Sequence, residues 1–157
     1  MTPAGVPFSP ILDGGGEAID HPHLARLYNY WDDKRAGRAM PTRNDIDPME
    51  IRSLLPHIAL IDVEENPQRY RYRLVGTGLI TVLGQELTGK YLDQTPMLFR
   101  RFAGNAYGEV LAKKTPTYTV FDTYIPMIRS VRYKRLLLPL SPDGEKVNMV
   151  AAGFFPF

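Results

Sequence analysis

The first apolar pattern along the chain is helical. Leu24, Leu27, Tyr28 and Trp31 recur at the spacing of one helix face. Asp20 precedes them as an N-cap, Pro22 sits in the first turn where its missing N–H does no harm, and Gly37 is a natural stop. The predicted element is an amphipathic helix of about four turns whose wide aromatic stripe must cover something. Asp47-Pro48-Met49-Glu50 reads as a second start, with Asp47 as cap and Glu50 reaching back as in a capping box; Pro56 ends that short helix.

The period then shifts to two. Ile58–Val63 and Arg69–Val75 are strand candidates joined by the turn chemistry of Glu64-Glu65-Asn66-Pro67, an antiparallel hairpin. In the second strand Tyr70, Tyr72 and Leu74 point one way, and Arg69, Arg71 and Arg73 the other. Desolvating one unpaired guanidinium costs several kcal/mol, whereas burying a tyrosine or leucine gains about 1.5–3 kcal/mol. The arginine face is therefore wet or paired with acids. Thr77–Leu83 reads as a short helix stopped by Gly84. Thr95-Pro96 opens a long one, with Phe99, Phe102, Ala103, Ala106, Tyr107 and Val110 as its apolar stripe and Thr115-Pro116 as its end. Strands follow at Thr117–Ile125, Val131–Leu140 and Val147–Phe155, the last two separated by the turn Ser141-Pro142-Asp143-Gly144. Helices segregated from strands in this order predict an α+β domain with an antiparallel sheet.

Composition narrows the function classes. The chain has 157 residues, enough for one domain; 44% are hydrophobic and 23% charged, and no run is long and apolar enough for a membrane span. Met1–Asp20 lacks a basic start and a hydrophobic run, so it does not read as a signal peptide; its prolines and Gly14-Gly15-Gly16 favour a flexible tail over 1–19 ahead of a domain over 20–157. The expected compartment is the cytoplasm. Cysteine is absent, which removes disulfides, thiolate metal sites and cysteine-dependent flavin or coumaroyl photochemistry. Residues 1–65 carry 6 basic and 11 acidic side chains, and residues 66–157 carry 13 and 6. Either the two halves neutralise each other or the second half offers a basic patch.

The order of elements, two strands, a helical crossover and three strands, resembles the PAS fold. Residue by residue, the chain resembles a bacterial single-PAS-domain family first catalogued as a domain of unknown function. The matching stretches are Tyr30-Trp31, Gly37-Arg38-Ala39-Met40-Pro41-Thr42-Arg43, Asp45-Ile46-Asp47-Pro48, Leu54-Leu55-Pro56-His57, Tyr72-Arg73-Leu74-Val75-Gly76-Thr77 and Leu87-Thr88-Gly89-Lys90. They span about 30–92; the last three strands match in pattern only. The resemblance implies a five-stranded antiparallel sheet with the helical crossover on one face and an N-terminal helix on the other. It also implies a sensory or regulatory module with no assigned reaction.

Catalytic motifs fail on inspection. Gly84 to Lys90 fits the start of a phosphate-binding loop, but Tyr91 stands where Ser or Thr would hold magnesium. Gly76-Thr77-Gly78 lacks the third glycine of a dinucleotide fingerprint, and no Gly-x-Ser-x-Gly elbow exists. The histidines are His21, His23 and His57, without a third ligand evident beside the first two, so no metal site is assigned. No cofactor is required, and the reading is a non-catalytic module. Tyr72, Leu74, Phe102 and Tyr107 are expected either to be core or to line a ligand cavity. Asp122, which interrupts a strand, is a polar anchor if it faces inward and unremarkable if it faces out. Leu24, Leu27, Tyr28 and Trp31 serve as a partner or homodimer interface, or fold onto the chain's own sheet. The alternative function is an RNA or anionic second-messenger binder using Arg69, Arg71, Arg73, Arg132, Lys134 and Arg135, although the glycine-aromatic signature of an RNA-binding sheet is missing.

Overall fold

The computed structural model describes residues 19–121 and 132–157. Helix α1 (Pro22–Arg35) is followed by 3-10 segments at Arg43–Asp45 and Pro48–His57. Strands β1 (Ile58–Glu64) and β2 (Arg69–Val75) come next, then α2 (Thr77–Leu83), a 3-10 turn at Leu92–Gln94, and α3 (Met97–Lys113). Strands β3 (Thr117–Phe121), β4 (Tyr133–Leu140) and β5 (Met149–Pro156) complete the chain. All five strands join one antiparallel sheet in the order β2-β1-β5-β4-β3. The chain therefore has the α+β architecture expected from its pattern. The ends of the expected strands 117–125 and 131–140 that fall within 122–131 lie outside the described residues.

Register assigns the two faces. Ala59, Ala152, Leu137 and Thr117 line up across one face, and Ile58, Gly153, Leu136 and Tyr118 across the other. Helices α2 and α3 cover the first face and α1 the second. Leu24, Leu27 and Trp31 are all buried beneath α1, and the Trp31 indole N–H donates to the Pro139 carbonyl at 2.8 Å. Tyr28 is half-buried at the rim of this contact. The aromatic stripe is thus accounted for by the chain's own sheet.

Two expected caps are used differently. Asp20 does not cap α1: His21 is the N-cap and makes no side-chain cap bond. Instead the Asp20 carboxylate accepts from the Tyr118 hydroxyl at 2.6 Å and the Lys134 ammonium at 2.9 Å, tying the start of α1 to β3 and β4. Asp47 does accept from the Met49 N–H, but Glu50 forms no capping box; its carboxylate takes Tyr30 at 2.6 Å and Lys34 at 2.9 Å. The segment they begin winds as a 3-10 helix kinked at Ile51, not as a regular α-helix.

Glycines report how closely the layers approach. A Cβ on Gly153 would meet Leu27 Cδ2 at 2.7 Å and Leu24 Cδ2 at 2.8 Å, whereas one on Gly76 would land on the Leu55 carbonyl oxygen. Leucine ends can shift; backbone cannot. Gly108, inside α3, faces open space. We expect Gly153→Ala to cost about 1–3 kcal/mol and Gly76→Ala to cost more. Gly108→Ala should stabilise by about 1 kcal/mol through helix propensity alone. Denaturant unfolding of the three variants checks the order.

Candidate functional site

The site begins with a β-bulge. Across the β1–β2 ladder Leu60 pairs with Leu74 but Ile61 pairs with Tyr72, which leaves Arg73 without a partner. The extra residue breaks the Tyr-Leu alternation. Tyr72 faces the α3 side, Leu74 turns to the α1 side, and Val75 takes the place expected of Leu74. Leu74 is therefore corrected from cavity wall to a half-buried residue of the opposite face.

Between α2, α3 and the sheet lies a cavity of ≈ 70 Å³. Ala59, Ala103 and Ala152 leave the space, and Leu79, Phe99 and Phe154 are among its apolar walls. Of the expected lining residues, Tyr72, Phe102 and Tyr107 are there. Asp122 lies outside the described residues. The Tyr72 and Tyr107 hydroxyls meet at 2.8 Å and are buried. Burial pushes both phenols above their ordinary value, so both stay protonated. One hydroxyl donates to the other, which leaves one proton of the pair for a third group.

Arg135 is the residue that sequence reasoning placed elsewhere. Composition groups it with the basic residues of the second half, but β4 register sends it to the cavity side, opposite Phe154. Its guanidinium carbon stands 5.4 Å from the Phe102 ring centroid and 4.8 Å from that of Phe121. Its Nε is buried without a hydrogen-bond partner, and burial lowers its pKa to about 10. It remains charged at neutral pH. The available signal was strand alternation: Tyr133, Arg135 and Leu137 share a face, and Leu137 is fully buried.

The other basic candidates are not brought together. Arg69 is forked onto the Asp93 carboxylate at 2.7 and 3.0 Å and stacks 3.6 Å from the Tyr91 ring. Arg73 pairs with buried Asp62 at 2.8 Å, with Arg43 on its other oxygen at 3.6 Å. Arg71 shares that sheet edge, bridged to Tyr91. Strands β1 and β5 separate these three from β4. There Lys134 pairs with Asp20 on the α1 side, and Arg132 lies 4.7 Å from the Phe157 ring. Register and pairing divide the six residues among separate places.

The three histidines do converge. His21, His23 and His57 surround Phe155, with ring centroids at 4.9, 5.2 and 4.3 Å. Among the described residues, no group of three His, Cys, Asp or Glu is placed to hold a metal ion. Burial first, then repulsion from His23, Lys134 and His57, holds His21 below its ordinary value; Asp20 opposes this.

Compared with known proteins, the chain matches in sequence a family described as the PAS domain, over residues 19–153. The chain belongs to the PAS domain family. Among solved structures it is similar to the PAS domain of BvgS from Bordetella pertussis. That match has a TM-score of 0.52 and 17% identity, and covers 69% of this chain and 85% of that one. At that identity the likeness is one of fold. No curated protein matches the chain in sequence. PAS domains are generally sensory or regulatory modules, and the cavity described above lies inside the PAS sheet-and-helix core.

Two outcomes follow from this geometry. Tyr72→Phe or Tyr107→Phe alone strands a buried hydroxyl and should cost about 1–3 kcal/mol, whereas the double variant should recover most of that loss; a double-mutant cycle measures it. His21 binds its proton more weakly folded than unfolded, so its contribution to stability is present above about 6.5 and is lost as pH falls through the lowered value. Asp20, also held low by Tyr118 and Lys134, adds a loss only further down, below about 3.8. Replacing His21 with Phe should flatten the first of these two slopes in urea unfolding across pH.

Proposed function

We propose that this chain is a non-catalytic PAS sensory module. It holds a small molecule between α2–α3 and the sheet and passes the bound state on through protein contacts. The observation that carries the reading is the cavity itself, which is dry-walled yet furnished with a hydroxyl pair and one guanidinium. A site with apolar walls and few convergent polar groups is built for orientation and selectivity, not for proton transfer or nucleophilic attack. Its roof is formed in part by α2, only seven residues long. A ligand beneath such an element stabilises one packing of α2 and α3 on the sheet, and the outer surface of those helices reports it.

The test is to fill the cavity. Ala103 projects from α3 into it, so Ala103→Phe should displace a resident molecule while the fold persists by circular dichroism. Native mass spectrometry of protein purified from its own cells should show a bound small molecule on the unaltered chain and none on the filled variant. An unaltered chain without a bound molecule, or an adduct indifferent to the filling, would count against the reading.

A further inference from the structure

We propose that the cavity selects a small monocarboxylate, its carboxylate on Arg135 and its apolar body against the α2–α3 wall; this rests on the small-molecule reading of the cavity.

One buried donor in the cavity lacks an acceptor. Arg135 is the one charged residue lining the cavity among the described residues, and its Nε is buried there with no hydrogen-bond partner. The nearby acid of α3, Glu109, is committed to Lys113 at 2.9 Å and exposed. Holding one N–H of a charged guanidinium out of water without an acceptor is costly. The Phe102 and Phe121 rings offset part of this through their faces, but a ring offers a guanidinium no oxygen to accept its N–H bonds. The missing element is an anion with paired oxygens in a plane, which matches the guanidinium fork.

Charge balance and the chemistry of the walls narrow the class. One guanidinium neutralises one negative charge, and among the described lining residues there is no second cation for a dianion. The remaining walls, Leu79, Val82, Leu83 and Phe99, suit a short aliphatic chain or a single ring. The Tyr72–Tyr107 pair retains one hydroxyl proton, available to a second carboxylate lone pair or to a hydroxyl on the ligand.

The experiment compares charge at constant shape. Butanoate, hexanoate, octanoate and benzoate are titrated against their amides by calorimetry near neutral pH. The proteins are the unaltered chain, Arg135→Met, Arg135→Lys and Ala103→Phe. At least one acid should bind about 10- to 100-fold more tightly than its amide. Arg135→Met should abolish that preference, and Arg135→Lys should keep part of it. If acid and amide bind alike, or Arg135→Met keeps the preference, the carboxylate assignment is wrong while the small-molecule reading stands. If neither acid nor amide binds the unaltered chain, the carboxylate assignment is overturned, and a resident molecule in native mass spectrometry then decides the broader reading independently. Should Arg135→Met fail to fold, the lysine variant carries the comparison: a full retention or a total absence of acid preference there overturns the bidentate contact.

Discussion

The fold depends on burying both faces of the central strands. Every residue of β5 from Met149 to Phe155 is buried, and Leu136, Leu137 and Leu138 of β4 are at most 1% exposed. Antiparallel sheets commonly leave one face to water, with polar residues there. This sheet cannot, because consecutive apolar residues send side chains to both sides. One layer of helix is therefore required on each side, and α1 and the α2–α3 crossover supply them. Layer spacing is set by small residues in β5. Gly153 admits the leucines of α1, and Ala152 on the opposite face leaves open volume under α3.

Polar groups are distributed by the same constraint. On the outer edges, ions pair with ions: Arg69 with Asp93, and Arg73 and Arg43 with Asp62. Most of these side chains are well exposed, so such contacts hold geometry more than they add stability. Asp62 is the exception, buried and answered by two guanidiniums. The α3 side of the sheet holds a different set, two phenols satisfied by each other and one guanidinium whose Nε has no partner. The walls around them are largely apolar.

The sequence made the architecture legible where local chemistry and global packing agree. The Ser141–Gly144 turn closes on its own side chains, with the Asp143 carboxylate accepting from the Glu145 and Lys146 N–H groups, and a hairpin follows wherever such a turn joins two apolar runs. The site was less legible because its determinants are non-local. The regular Arg-Tyr alternation of β2 conceals a bulge, since nothing in its own residues says that the partner strand will skip one. Asp20 looks like a cap beside Pro22, yet Tyr118 and Lys134, distant in the chain, offer stronger partners. Arg135 sits in a run of basic residues whose composition suggests solvent, and only the register of β4 separates it from Lys134. The meeting of three histidines around Phe155 likewise depends on α1, the segment before β1 and the end of β5 arriving at one place.

The skipped residue in β2 makes this strand a two-sided ruler. Its first half presents tyrosines to the α3 layer, and its last two residues have exchanged sides relative to that rhythm. Deleting the Arg73 codon would restore the uninterrupted ladder and leave each compartment its contents, because Leu74 keeps Leu60 and Val75 keeps Ala59 as partners. The extra position is what lets a strand written in strict alternation put its tyrosines on one side of the sheet and its leucine on the other.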